Sequence, residues 1–507
     1  MSDSDRKELA EHIKHMRFLP GGRYLYYAGR PYKAYNNCYL LRAEEDTREE
    51  WSNVTWRAMS CLMTGGGIGV DYSRIRPSGR PLQRTGGTAS GPLPLMYAIN
   101  EIGRQVMQGG SRRSAIYASL NWQHEDIPLF LRAKNWDEGT RQRKLEDFNS
   151  YAPLDMTNIS VNYDDAIAFA AGCPGDIPMG LTNSHVFLEN VKQAMMTGEP
   201  GFSFNFGDKQ NETLRNACTE VTSEDDSDVC NLGSINLGNI STLEEFKSVV
   251  QLAAKFLVCG TLRADLPYAK VYKVREKNRR LGLGLMGIHE WLLQRGQGYE
   301  VGPELKQWLE VYRDESKRAA DEHCDRFYIS RPVAYRAIAP TGTIGILAST
   351  TTGIEPLFAV AYKRRYLTNG TQWKYEYVVD ATAERIIQET GADPATIETA
   401  YKLSHNYEQR IKFQADVQDY IDMSISSTIN LAPWGSKQNN EGQVTEFAAV
   451  LAKYAPRLRG FTAYPDGSRG GQPITEVAYE DAIKHKGTVF QEHDICEIGG
   501  KGGTCGV

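Results

Sequence analysis

Apolar and polar positions along the chain fall into three regimes. Residues 4–16 carry an amphipathic helical pattern, and Pro20-Gly21-Gly22 then breaks it and leads into aromatic sequence that reads as extended. Over residues 17–237, short apolar runs predict strands alternating with helices, interrupted by polar loops at 79–91 and 135–155. The stretch from Asn135 to Lys144 is densely charged and reads as a solvated surface loop. Residues 243–325 are mainly helical in pattern. In their middle, Gly282, Gly284 and Gly287 imitate a dinucleotide-binding glycine motif, but no strand-forming run precedes them, so small residues permitting close helix packing are the expected explanation. The last segment, residues 497–507, is Gly-rich and reads as a flexible tail. No internal repeat or low-complexity tract is visible.

A chain of 507 residues has room for one large α/β barrel or two to three ordinary domains. Its 41% hydrophobic and 24% charged content is that of a globular protein, and no apolar run approaches the ~20 residues that cross a bilayer. The polar start, Met1-Ser2-Asp3-Ser4-Asp5, lacks the apolar core of a signal peptide, so a cytoplasmic location is expected. A net charge of -5 argues against a broad electrostatic footprint on DNA or RNA. Nine scattered cysteines without a CxxC pair suit a reducing compartment in which paired thiols are redox-active. His493, Cys496 and Cys505 supply three of the four ligands a structural zinc needs, and no metal site is expected.

The segment Asn216-Ala217-Cys218-Thr219-Glu220 concentrates chemistry. If it is extended, Asn216, Cys218 and Glu220 project to one side, bringing an amide, a thiol and a carboxylate together. A buried strand cysteine is usually a small hydrophobe. Burying Glu220 beside it is costly unless something polar or reactive binds there.

Together with this segment, Cys230-Asn231-Leu232-Gly233-Ser234-Ile235-Asn236-Leu237 and Pro340-Thr341-Gly342-Thr343-Ile344 resemble signatures of the catalytic subunit of ribonucleotide reductases. Asn37-Cys38, the run from Gly65 to Asp71 leading to Arg74-Ile75-Arg76-Pro77, and the run from Gln108 to Arg113 match in the same order. The resemblance implies a ten-stranded α/β barrel over residues 18–490 with a central finger loop bearing Cys218. It is preceded by a reduced N-terminal helical region, residues 1–17, and followed by a redox-active tail, residues 491–507. It further implies radical reduction of ribonucleotides to 2′-deoxyribonucleotides for DNA synthesis. Cys218 matches the thiyl-radical position, Glu220 the acceptor of the 3′-hydroxyl proton, and Asn216 the group orienting the sugar hydroxyls. Cys38 and Cys230, 192 residues apart, match the reducing dithiol that ends as a disulfide. Asn37 and Pro340, Thr341, Gly342, Thr343 and Ile344 match the substrate and phosphate site. Ser90, Arg112 and Arg113 match the region binding a deoxynucleoside triphosphate effector near a homodimer interface, and the 135–155 loop matches the one that relays effector identity. Cys496 and Cys505 match a dithiol shuttle served by thioredoxin or glutaredoxin, although their spacing is wider than is common in the family.

Two radical sources stay open. The wording of 340–344 and 460–469 is closest to the adenosylcobalamin-dependent class II enzymes, and Tyr464 stands without the adjacent tyrosine expected of a relay from a metal-containing small subunit. No corrin-binding motif is evident, so the class I arrangement, with no cofactor in this chain, is the alternative. From other functional classes, a catalytically inactive nucleotide-binding regulator conflicts with the intact Cys38, Asn216, Cys218, Glu220 and Cys230. A thiol-disulfide oxidoreductase normally exposes a CxxC, which this chain lacks. Diphosphate and triphosphate substrates are not distinguished.

Overall fold

A computed structural model of the chain describes residues 1–107, 113–147, 150–164, 185–368, 372–468 and 474–491. The amphipathic start forms the helix Asp3–Lys14, whose first turn is closed by a reciprocal capping box between Ser2 and Asp5. The chain then enters β1 (Phe18–Pro20). The sequence after Pro20, expected to be extended, is instead the short helix Gly22–Tyr27, which buries Tyr24 and Tyr27.

Five parallel strands follow, β2 (Cys38–Arg42), β3 (Gly67–Asp71), β4 (Ile116–Asn121), β5 (Thr157–Asp164) and β6 (Gly201–Asn205), hydrogen-bonded in that order. Helices such as Arg48–Thr64 and Leu93–Gln105 make the crossovers that parallel neighbours require. These strands are buried on both faces, so their sequences read as near-continuous apolar runs. The hairpin of β7 (Leu214–Arg215) and β8 (Thr222–Ser223) comes next, and then β9 (Asp228–Asn236) and β10 (Leu281–Met286), which are parallel to each other. β9 runs antiparallel to β2, while its far half pairs antiparallel with β1. The strand Gly460–Phe461 pairs antiparallel with β6 at the other end.

The main sheet thus has nine strands among the described residues, and the fold is mixed α/β. Isolated parallel bridges from Leu283 to Arg336 and from Ile338 to Ile425 carry the pairing beyond β10 onto two extended segments. Two parallel halves therefore run in opposite senses and meet where β2 lies against β9. One apolar core packs helices on β2 to β6, and a second packs the helices Leu243–Arg263 and Pro303–Arg326 on β9 and β10. A separate antiparallel sheet of four strands, Ile474–Glu476, Ala361–Thr368, Gln372–Val379 and Val489–Gln491, lies late in the chain.

Two further expectations need correcting. The glycine-rich run 281–286 is the buried strand β10, not a helix-packing surface. The charged loop after Asn135 contains the helix Glu138–Glu146, N-capped by Asp137, whose carboxylate accepts the Thr140 N–H at 2.9 Å. Among the described residues no helix is long and apolar enough to cross a membrane.

Candidate active site

The candidate site is built around the β7–β8 hairpin, which lies against β2 and β3. Glycines on β3 admit it. A Cβ on Gly69 would sit 1.7 Å from the Arg215 carbonyl oxygen, and one on Gly67 would sit 3.1 Å from Ala217 Cβ. Gly67 and Gly69 share one face of the strand, so the spacing Gly-x-Gly leaves a groove for the hairpin backbone.

Between the two strands, residues 216–221 form a turn rather than the extended run expected from the sequence. Thr219 has φ of 69° and its N–H donates to the Asn216 carbonyl at 3.0 Å. Asn216 Oδ1 accepts the Val221 N–H at 2.9 Å, which closes the turn. Asn216 and Glu220 therefore converge because the chain folds back, not because side chains alternate. Below the turn, buried Arg215 donates to Asn205 Oδ1 at 2.6 Å and to the Arg459 carbonyl at 3.1 Å. Glu212 accepts from Thr222 Oγ1 at 2.7 Å and pairs with Arg459 at 3.1 Å. Burial would raise the Glu212 carboxyl, but Arg280, Arg459 and Lys209 outweigh it and hold it at about 2.

Cys38 on β2 and Cys230 on β9 are direct partners in the antiparallel ladder, so their Cα atoms lie at the roughly 4.5–5.5 Å separation of such pairs, inside the range a disulfide spans. Both are free thiols and buried. Cys38 Sγ accepts from Asn216 Nδ2 at 3.0 Å and lies 3.7 Å from Glu220 Oε1, to which it donates. Burial, reinforced by Glu220, pushes the Cys38 thiol well above its ordinary range. Burial with Asp228 and Glu220 does the same to Cys230. Glu220 is 1% exposed, and its burial raises its carboxyl to about 7 against hydrogen bonds from Asn216 and Cys38. Its Oε2 is buried with no hydrogen-bond partner. Cys218, at the tip of the hairpin, is half-buried and within electrostatic reach of Cys38.

Polar atoms that the sequence did not single out belong to this region. Ser424 donates its N–H to the Glu220 carbonyl at 2.8 Å, and its own hydroxyl is buried without a partner, as is that of Ser427. Asn37, which the resemblance does place at the substrate site, is half-buried with a partnerless Oδ1. The run Ser424-Ile425-Ser426-Ser427-Thr428 offers clustered hydroxyls but no periodic pattern that would single out Ser424 and Ser427. Ala337 and Ala339 pack in the same apolar cluster as Cys38 and Cys230, and they lead directly into Pro340. There Thr341 is buried at φ of 52°, with its hydroxyl accepting the Gly353 N–H at 2.8 Å. Gly342 and Thr343 are exposed at the start of the helix Gly342–Ala348, and Ile344 is buried beneath it.

Two other expected residues lie apart from this cluster. Ser90 and Arg113 are exposed on loops. Arg112, Cys496 and Cys505 lie outside the described residues, and among those described no group of His, Cys, Asp and Glu is arranged to hold a metal.

Comparison with known proteins bears on this geometry. The sequence profile of the family described as "Ribonucleotide reductase, barrel domain" matches residues 36–154, 182–307 and 331–456. The chain is 26% identical to the vitamin B12-dependent ribonucleoside-diphosphate reductase of Mycobacterium tuberculosis, over 94% of this chain and 74% of that protein. It is 25% identical to the adenosylcobalamin-dependent ribonucleoside-triphosphate reductase of Euglena gracilis, over 87% of this chain and 62% of that protein. It is 24% identical to the ribonucleoside-diphosphate reductase large subunit of Danio rerio, over 83% of this chain and 65% of that protein.

Proposed function

We propose that this chain, which belongs to the ribonucleotide reductase family by its barrel domain, converts ribonucleotides into 2′-deoxyribonucleotides with Cys218 as the radical carrier and Cys38 and Cys230 as the reducing pair. The observation that carries these roles is the meeting of Asn216, Glu220 and Cys38 through hydrogen bonds, with Cys230 directly across the ladder from Cys38. In this reading the main sheet without β1, which lies alongside β9, and its two bridged segments close into a ten-stranded barrel around the hairpin.

The chemistry divides as follows. A thiyl radical at Cys218 Sγ takes the 3′-hydrogen of the ribose. Glu220, poised at about 7, accepts the 3′-hydroxyl proton on its partnerless Oε2, and the 2′-hydroxyl leaves as water after protonation from the Cys38/Cys230 pair. One thiol hydrogen leaves in that water and the other forms the new C2′–H bond, so the two sulfurs give up two electrons and two protons and end as a disulfide, while Glu220 returns its proton to the 3′-oxygen and Cys218 its hydrogen to C3′. Asn216, fixed through Val221, keeps the amide that orients both the sugar and Cys38. The backbone N–H groups opening the helix at Gly342, together with Asn37, are assigned to the substrate's phosphates and sugar. Ser90, Arg112 and Arg113 are assigned to a deoxynucleotide effector beside a homodimer contact, and Cys496 and Cys505 to exchange with a thioredoxin-type dithiol.

Adenosylcobalamin, in the name of the Euglena gracilis relative as vitamin B12 is in that of the Mycobacterium tuberculosis one, supplies when bound the one-electron oxidising power of a homolysed carbon–cobalt bond. The residues present fit such a group at Cys218, because this sulfur alone of the three is half-buried and so open to a molecule too large to enter beside Cys38 and Cys230. The test is deoxynucleotide formation by the purified chain supplied with ribonucleotides, adenosylcobalamin and a dithiol. Product from the parent and none from Cys218→Ser is the expected result. Product from Cys218→Ser would overturn the radical role, and product only after adding a metal-containing subunit would overturn the cofactor.

A further inference from the structure

β9 and β10 pair in parallel with Leu281 opposite Asn231 and Gly282 opposite Leu232, which sets Arg280 level with Cys230. By the alternation of strand side chains, Arg280 and Gly282 share the face that carries Cys230 and Leu232. Gly282 makes the room: a Cβ there would lie 3.1 Å from Cys230 Sγ. Arg280 is 4% exposed, and Asp228, two residues before Cys230, holds its Nε at 2.7 Å. Its Nη1 is buried with no hydrogen-bond partner and makes only a long ion pair, to Glu212 at 3.7 Å. A buried guanidinium with an idle donor is costly in a resting site and is repaid if an anion forms beside it during turnover.

We infer that Arg280 is a positioning residue for the regeneration half of the reaction, stabilising Cys230 as the leaving thiolate when an external dithiol reduces the Cys38–Cys230 disulfide. The inference rests on the reading of Cys38 and Cys230 as the redox pair. One thiolate of the dithiol attacks Cys38 Sγ, a mixed disulfide forms on Cys38, the Cys38–Cys230 bond breaks, and Cys230 departs as thiolate beside Arg280. The second thiol of the reductant then displaces Cys38, and both protein thiols recover protons as the reductant leaves oxidised. Cys230 faces Asp228 on its own strand, Glu220 on the hairpin, Cys38 on β2 and Tyr24 on the helix Gly22–Tyr27, none of which is cationic. Arg280 is the positive charge among these neighbours.

The experiment oxidises the full-length protein, adds dithiothreitol from pH 6 to 9, and follows Cys38 and Cys230 by alkylation and mass spectrometry. Arg280→Gln should slow reduction roughly 10- to 100-fold, the factor that losing a charge-assisted hydrogen bond implies, and move the pH profile of Cys230 release upward. Arg280→Lys should recover most of the rate, and the mixed disulfide should sit on Cys38. Because Arg280→Gln alone strands Asp228, the double variant Asp228→Asn/Arg280→Gln is measured beside it. Folded variants with the parent's rate and pH profile would overturn the inference, as would a mixed disulfide on Cys230. Failure of the parent itself to form a Cys38–Cys230 disulfide would instead overturn the redox pair.

Discussion

Glu220→Gln separates what the fold tolerates from what the chemistry needs. The carboxyl ionises near 7 in the fold against an ordinary value of 4.5, because burial disfavours its charge. The sign follows from linkage: below 4.5 both states hold the proton, while between 4.5 and 7 the unfolded chain releases it and the folded chain does not, so stability falls as pH rises. At 1.36 kcal/mol per tenfold change, the cost saturates at about 3 kcal/mol by pH 8 and is under about 1 kcal/mol at pH 5. Glutamine matches the shape, keeps an acceptor for Cys38 and cannot ionise, so the variant should be more stable than the parent by these amounts. For 507 residues each kcal/mol moves the midpoint by about 1 °C, and the melting difference should widen by about 2–3 °C from pH 5 to pH 8. Turnover should meanwhile fall by roughly 10²- to 10⁴-fold, the usual worth of a positioned base. Scanning calorimetry of both proteins across this pH range is the assay. A melting difference that stays constant with pH would refute the reasoning, since it would mean that Glu220 is already ionised in the fold.

Gly69→Ala should displace the hairpin, because the new methyl meets the Arg215 carbonyl at 1.7 Å, a backbone atom that cannot swing aside. A lowered melting point and lost turnover are expected, with Gly22→Ala, where nothing lies within 4 Å, as the harmless control. Glu212→Gln should cost about 3 kcal/mol at pH 7, since a carboxyl held at about 2 contributes stability that is fully present above 4.5 and lost as pH falls through 2. The gap between parent and variant in urea midpoints should shrink by more than half at pH 3. Asn216→Asp replaces the amide donor to Cys38 with a second carboxyl near Glu220, so the acid limb of the pH–rate profile should move to higher pH.

Cys38, Asn216, Glu220 and Cys230, which the fold brings together, are legible as candidates in the sequence, but the geometry that unites them is not. Alternation along an extended strand groups Asn216, Cys218 and Glu220, whereas the fold unites Asn216 and Glu220 through the turn at Thr219. Local periodicity is blind to that turn: Asn216 closes it through bonds that leave no apolar period, and its two ends are anchored from afar, by Asn205 and Arg459 on Arg215 and by Ser424 on Glu220. β10 was misread for a related reason. Strands buried on both faces lose the period-two signal, and in 281–286 the alternate glycines mimic a packing motif while Gly282 clears space for Cys230 and Leu232 and Gly284 for the Ala337 carbonyl and Ser234. The pairing of Cys38 with Cys230 rests in the sequence on the family resemblance alone, since nothing in 192 residues of separation specifies it, and the ladder sets the two directly opposite each other.

The resting state of the thiols also distinguishes kinds of sulfur chemistry. A thiol-disulfide oxidoreductase works through a thiolate whose pKa is depressed by a helix start or a nearby cation. Here burial and the acids Glu220 and Asp228 push Cys38 and Cys230 the other way, and Arg280 offsets this only in part at Cys230. Thiols kept protonated are poor nucleophiles but good donors of hydrogen atoms and protons, which is what removal of a hydroxyl from a sugar radical consumes. The reduced, folded protein at pH 7.5 should therefore react with iodoacetamide at Cys38 and Cys230 far more slowly than at half-buried Cys218 and than after unfolding in urea. Alkylation of either buried thiol at the rate of an unfolded cysteine would place a thiolate in the site and undo the distinction.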